Sequence, residues 1–138
     1  MKVKILKEGG ILPQKKHKTD AGFDLYAPYD GVVFKGERIR VNLHIAISIA
    51  ENQVALVQGR SGLAINNGIT TIGNVIDSGY RGEISAVLLN TSNEDFGFRQ
   101  GDRIAQLVLF KIPDEEVQEV SELSEADRGD NGFGSSGK

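Results

Sequence analysis

RIRVNLHIAISIA, Arg38–Ala50, is the stretch that decides the fold class. Ile39, Val41, Leu43, Ile45, Ile47 and Ile49 fill every odd position, and Arg40, Asn42, His44 and Ser48 take most of the even ones. A helix scatters such a pattern around its axis, whereas a strand gathers it onto one face. The stretch therefore reads as a strand with a buried face. His44 lies on the polar face, as a surface or interface imidazole.

Working outward, Lys2–Leu6, Ala21–Ala27, Gln53–Gly59 and Gly101–Ile112 read as further strands. Pro13–Asp20 reads as loop, Asp30-Gly31 as a turn and Thr91–Gly101 as a polar loop. On the strand from Gly101, Ile104, Val108, Phe110 and Ile112 share one face. Gln106 shares it too, and a buried amide must bond backbone or face a ligand. Short strands spaced by turns predict an all-β, antiparallel, jelly-roll-like sandwich or barrel. The exception is Gly59–Gly68, GRSGLAINNG, which reads as a helix of about two turns. Ser61 would cap it and Gly68 would end it in the left-handed conformation. Arg60, the Ser61 hydroxyl and the amides left uncovered by Gly62 form a candidate anion site at the helix start.

The stretch Gly73–Asn90, GNVIDSGYRGEISAVLLN, holds the candidate chemistry. It reads as a hairpin, with Val75-Ile76 leading in, Ser78-Gly79 bending and Ile84–Leu89 leading out. Asp77 is a carboxylate at the mouth of the bend, and Tyr80 is a flat ring beyond it. A carboxylate beside an aromatic platform suits a site that holds a ring and activates a water. Asp and Gly at a bend also make ordinary turns, so the stretch does not decide function alone.

Composition bounds the answer. A chain of 138 residues forms one domain. No apolar run approaches membrane-spanning length and no signal-peptide pattern opens the chain, which points to the cytoplasm. With no cysteine and two histidines, thiolate and multi-histidine metal sites are ruled out. A net charge of −3 argues against a general nucleic-acid surface but leaves room for a small anion. From Pro113 the chain turns acidic, with Val117, Val120 and Leu123 as its few anchors, and its start is a candidate strand. Arg128–Lys138, RGDNGFGSSGK, carries too little apolar surface to order itself. Its Arg, lone Phe133 and Gly-Ser run suit an arm that orders only over a ligand. The expected organisation is a β domain over residues 1–124 and a Gly-rich closing arm over 125–138.

Five segments marked in this way, AGFDLYA, GRSGLA, GNVIDSGYRGE, GDRIAQLV and RGDNGFGSSG, stand in an order that resembles the five motifs of the trimeric dUTP diphosphatases (dUTPases). The resemblance implies hydrolysis of dUTP to dUMP and pyrophosphate, with Mg²⁺ held by the triphosphate and not directly by protein. Asp77 matches the residue that deprotonates the attacking water. Tyr80 matches the ring under the deoxyribose. Val75, Ile76 and the backbone near Ser85 match the edge that reads uracil. Arg60, Ser61, Gly62 and Gln106 match phosphate contacts, and Asp24 matches an acid near the metal-bound waters. Arg128, Phe133, Gly134, Ser135 and Ser136 match the closing arm, with Phe133 over the base. The resemblance further implies a homotrimer with sites shared among three subunits, and no nucleic-acid or membrane partner.

The sequence departs from the motifs at three positions. Gly59 replaces a usual proline, Asn74 a frequent glycine, and Thr71 an asparagine that touches uracil in many bacterial members. A dCTP deaminase is the competing enzyme of this fold. It would need a glutamate where Val87 stands. A non-enzymatic regulator is the other alternative, and the intact Asp77, Tyr80 and arm argue against it.

Overall fold

A computed structural model describes residues 1–127, 129 and 130 of the chain. Arg128, Phe133, Gly134, Ser135 and Ser136 of the expected arm lie outside the described residues. The described chain is built from β1 (Lys2–Ile5), β2 (Gly22–Tyr26), β3 (Gly31–Val33), β4 (Arg38–Asn42), β5 (Ile45–Ser48), β6 (Gln53–Gln58), α1 (Ser61–Asn67), β7 (Ile69–Ile72), β8 (Val75–Ile76), β9 (Ser85–Asn90), β10 (Phe96–Phe98) and β11 (Arg103–Lys111). The strands form a four-stranded sheet β2-β11-β6-β8, a three-stranded sheet β4-β9-β7 and the pairs β1-β5 and β10-β3. Every one of these pairings is antiparallel. Leu25, Val33, Val41, Ile45, Val57, Ile69, Leu88, Phe98 and Leu107 come from all four sheets and bury into a single core. Among the described residues the fold is thus all-β and antiparallel with one short helix, as the short strands spaced by turns and the Gly59–Gly68 stretch predict.

The deciding stretch is two strands rather than one. β4 belongs to the three-stranded sheet and β5 pairs with β1. The corner between them is His44, whose φ is 58°. Ile84 spans the corner, accepting the Leu43 amide at 2.9 Å and donating to the Ile45 carbonyl at 2.8 Å. Leu43 and Ile45 stay in the core on either side, so the burial alternation survives a break in the ladder that the sequence hides. His44 is half-buried and tied down. Its ring nitrogen Nδ1 donates to the Glu8 carbonyl at 2.7 Å, because a carbonyl can only accept.

The candidate hairpin is also not a hairpin. β8 pairs with β6, while β9 lies between β4 and β7. The chain turns at Asp77–Tyr80, where the Tyr80 amide donates to the Asp77 carbonyl at 3.1 Å, and then crosses from one sheet to another. The turn is real; the ladder between its arms is absent because each arm pairs with a different strand. β3 and β10 pair with each other in segments read as turn and loop. At three residues each, they are too short to show a period.

β11 carries a bulge between Arg103 and Ala105, and a bulge re-aims the side chains around it. Ile104, Ala105 and Leu107 are buried, whereas Phe110 and Ile112 remain 49% and 45% exposed. Ile104 therefore does not share a face with Val108, Phe110 and Ile112; the latter look away from the core. Val108 stands opposite Leu56, and Phe110 opposite Val54. With Val75, they give the four-stranded sheet an apolar outer face. After Lys111 no strand occurs among the described residues. Val117, Val120 and Leu123 are 101%, 56% and 89% exposed and anchor nothing within the protomer.

Candidate active site

The first half of the candidate site is a cleft of about 440 Å³ lined by residues that include Asp24, Arg60, Ser61, Gly62, Arg103 and Gln106. Three segments build it. β2 brings Asp24, the start of α1 brings Arg60–Gly62, and β11 brings Arg103 and Gln106. The register of the four-stranded sheet places Gln106 beside both Asp24 on β2 and Gln58 on β6.

α1 starts differently from expectation. Arg60 holds the N-cap position with extended backbone, and no side chain caps the helix. Ser61 is the first helical residue, so its hydroxyl is not used as a cap. Gly68 ends the helix with φ 67°, its amide donating to the Ala64 and Leu63 carbonyls, as expected. A Cβ placed on Gly62 would meet nothing within 4 Å. Packing within the protomer does not require glycine there, and the open backbone suits close approach by a ligand.

The charges in the cleft are interlocked. Asp24 Oδ1 lies 3.2 Å from Arg60 Nε, and Asp24 Oδ2 lies 3.3 Å from an Arg103 terminal nitrogen. Arg60 also donates to the Arg103 carbonyl at 3.0 Å. One carboxylate thus holds two guanidiniums side by side, which leaves the cleft a surplus of positive charge with its geometry set in advance. The Gln106 amide donates to the Gly59 carbonyl at 2.9 Å, so this side chain bonds backbone and lines the cleft as well.

Arg103 is a site residue that sequence reasoning missed. It stands three places before Gln106, which on a regular strand would put the two on opposite faces. The bulge turns both toward the cleft, and a bulge leaves no mark in residue spacing. Lys16, Asn66 and Asn67 also line the cleft without having been singled out.

The second half is a separate pocket of about 260 Å³ lined by Arg40, Gly73, Val75, Ile76, Asp77, Tyr80, Glu83, Ser85 and Val87. No residue lines both. Asp77 is exposed at the turn and, among the described residues, takes part in no ion pair. Tyr80 is 44% exposed, and its hydroxyl donates to the Glu83 carbonyl at 3.1 Å. The ring lies so close to Gly82 that a Cβ there would overlap it, which makes Gly82 the floor of the platform. Arg81 braces the turn by donating to the Ser78 and Tyr80 carbonyls at 2.6 and 2.8 Å. Thr71 spends its hydroxyl on the Val57 carbonyl at 3.1 Å. Arg40 and Glu83 were not singled out from sequence. Both Glu83 oxygens are engaged, one by the His44 amide at 3.1 Å and the other by Lys7 at 3.2 Å.

Among the described residues no cluster of three or more His, Cys, Asp or Glu side chains is placed to hold a metal ion. Each Asp24 oxygen faces a guanidinium. No helix among the described residues is long and apolar enough to cross a membrane.

Comparison with known proteins gives one consistent result. The family model described as dUTPase matches residues 8–137. The deoxyuridine 5'-triphosphate nucleotidohydrolase of Clostridium tetani is 42% identical over 140 residues, covering 100% of this chain and 97% of its own length. The dUTPase of Staphylococcus bacteriophage 80alpha, solved with dUPNHPP, superposes with a TM-score of 0.93 at 29% identity, covering 99% of this chain and 98% of that one. A mutant dUTPase from phage phi11 of S. aureus, whose structure details coordination of a structural Mg(II) ion, gives 0.84 at 25% identity, covering 90% and 98%.

Proposed function

The chain belongs to the dUTPase family, and from that premise we propose that it hydrolyses dUTP to dUMP and pyrophosphate by attack of an Asp77-activated water on the α-phosphorus. The Asp77 carboxylate takes a proton from the water as its oxygen bonds to phosphorus. The bond from the α-phosphorus to the bridging oxygen then breaks, and pyrophosphate leaves with that electron pair. Arg60, Ser61, Gly62 and Gln106 bind the phosphates, with Arg103 beside them. Tyr80 stacks under the deoxyribose, and the backbone of Val75, Ile76 and Ser85 reads the base. Mg²⁺ bound with the nucleotide would screen the triphosphate charge, and the residues that would approach it through water are Asp24 and Gln106, which line the anion cleft. The reaction keeps uracil out of DNA and supplies dUMP for thymidylate synthesis.

The observation that carries the reading is the division of the motifs between two pockets. A cleft with two guanidiniums and a pocket whose Asp77 takes part in no ion pair among the described residues share no lining residue. A single protomer therefore presents two half-sites. We propose a homotrimer in which the cleft of one subunit meets the Asp77 pocket of a second and receives the Arg128–Ser136 arm of a third. Two features support assembly. The outer sheet face around Val54, Leu56, Val108 and Phe110 is apolar and uncovered, and such a face commonly marks an interface. The segment from Pro113 carries Val117 and Leu123 with no cover of their own.

A dCTP deaminase is disfavoured by the same pocket. Val87 lines it, and Glu83, the glutamate nearby, has both oxygens committed. The test is pyrophosphate release from dUTP, dCTP, dTTP and UTP, each with Mg²⁺. Release from dUTP alone is expected. Ammonia from dCTP, or no preference among the four, would overturn the reading.

A further inference from the structure

The loop Pro13–Asp20, PQKKHKTD, borders the anion cleft, with Lys16 and Asp20 among the lining residues. Hydrogen bonds fix its course at both ends. The Gln14 carbonyl accepts the Asp24 amide at 2.7 Å, and the Gln14 amide donates to the Asp24 carbonyl at 3.4 Å. The loop thus starts beside the residue whose carboxylate holds Arg60 and Arg103. At the far end the Asp20 carboxylate accepts the His17 amide at 2.8 Å, and the Asp20 amide donates to the His17 carbonyl at 3.1 Å. Three lysines sit along this course. Lys15 Nζ lies over the Phe23 ring, 4.9 Å from its centroid, Lys16 lines the cleft, and Lys18 is exposed. Among the described residues none of them is in an ion pair. Asp20 is the loop's one acid, and one of its oxygens is spent on the His17 amide.

The chain as a whole carries a net charge of −3, which repels a polyanion from a distance. Screening confines that repulsion to about 10 Å at ordinary ionic strength, so the nearest charges govern the last approach. A basic rim on a concave site focuses the field and raises the association rate of an oppositely charged ligand about 10- to 10³-fold. We propose that the Pro13–Asp20 loop is a capture element whose Lys15, Lys16 and Lys18 draw polyphosphate chains toward the anion cleft and take no part in bond cleavage. The field acts on charge and not on the base, so the loop serves any linear polyphosphate. Salt screens such capture strongly and a close contact inside the cleft much less, which separates the loop from Arg60 and Gln106. The proposal rests on the dUTP reading for the identity of the nucleotide and not for the capture itself.

The test measures kcat and KM for dUTP, and calorimetric binding of inorganic tripolyphosphate, in about 20 mM and about 500 mM salt with the full chain and its variants. Lys15→Gln/Lys16→Gln/Lys18→Gln lowers kcat/KM for dUTP and the affinity for tripolyphosphate about 10-fold at low salt. At high salt the loss is under about twofold, and kcat stays within about twofold at both. Arginine at the same three positions keeps the charge and keeps both values. Lys2→Gln/Lys4→Gln/Lys35→Gln removes equal charge from outside the cleft and leaves both within about twofold. Equal losses at low and high salt would make the loop lysines close contacts or folding elements and overturn the proposal. Equal losses in the two glutamine variants overturn it as well, because net charge alone would then account for the effect. Unchanged low-salt affinity for tripolyphosphate overturns it whatever the substrate. An unmodified chain that shows the salt-dependent tripolyphosphate binding but does not hydrolyse dUTP keeps the capture role and removes the dUTP reading instead. Should the loop variant fail to fold, Lys16→Gln/Lys18→Gln, which retains the Lys15–Phe23 contact, decides by the same readings.

Discussion

The two half-sites are built by opposite means. The anion cleft is locked by side chains, since Asp24, Arg60 and Arg103 come from three separate segments and hold one another through charge. The base pocket is shaped mainly by backbone, with the edge at Val75-Ile76, the turn at Asp77–Tyr80 and the start of β9. The difference is the one the proposed ligand calls for. A flexible polyanion is best met by charges fixed in advance, because the protein then does not reorganise on binding. A flat heterocycle is best met by amides and carbonyls at fixed spacing. A side-chain clamp can be undone by one substitution, whereas a backbone pocket can be altered only at the few side chains that project into it.

The sharpest way to separate the halves is Asp77→Asn. It leaves the cleft untouched and removes the proposed general base. Turnover should fall about 10³-fold, within the range for general-base loss, while affinity for a non-hydrolysable dUTP analogue holds. Single-turnover pyrophosphate release with calorimetry on the analogue checks both; near-normal turnover would exclude the role. Next in size is termination after Glu125, which keeps both half-sites and removes the arm. On the proposed reading, in which the arm would orient the substrate, a folded trimer with activity reduced about 10²-fold is expected. Sedimentation and steady-state rates decide, and full activity would show that the arm is no part of the site.

Each half was legible in the sequence only in part. Arg60, Ser61, Gly62 and Gln106 all reach the one cleft, and Asp77, Tyr80, Ser85, Val75 and Ile76 all line the one pocket. Residue type marked Arg60, Ser61, Gly62, Gln106, Asp77 and Tyr80, and the resemblance carried by the five ordered motifs added Val75, Ile76 and Ser85. What escaped was geometry that leaves no mark in the pattern. Arg103 reaches the cleft through a bulge, and Glu83 and Arg40 reach the pocket because the chain crosses between sheets. His44 breaks the longest alternating run, yet the alternation continues past it, because Leu43 and Ile45 both stay in the core. Periodicity reports which side chains are buried; it does not report where hydrogen-bonded partners change.

Asp24→Asn tests whether the cleft's clamp matters to binding or only to folding. The neutral amide keeps the shape but leaves Arg60 and Arg103 without their shared counter-charge. Thermal stability should fall by about 1 kcal/mol, since the pairs are partly exposed. KM for dUTP should rise about 10-fold as the Arg60 fork loses its preset orientation. A lowered melting temperature with unchanged KM would make Asp24 purely structural and would weaken the contrast between the halves.

The smallest effect sits behind the base pocket, at the His44 corner. Left-handed backbone costs roughly 1–2 kcal/mol for an ordinary side chain, and asparagine bears it best after glycine. His44→Asn loses the ring's bond to the Glu8 carbonyl but keeps the corner and the amide that holds Glu83. It should cost about 1 kcal/mol of stability, the worth of one hydrogen bond, with kcat/KM within about twofold. His44→Val adds β-branched strain at the same φ and should cost at least ~2 kcal/mol. Its corner opens, Glu83 loses the His44 amide, and the Tyr80 platform that rests on the Glu83 carbonyl shifts, so KM for dUTP rises while the anion cleft is unaffected. Melting curves and KM values for the two variants provide the check. Equal behaviour of Asn and Val would mean that the base pocket does not depend on this backbone corner.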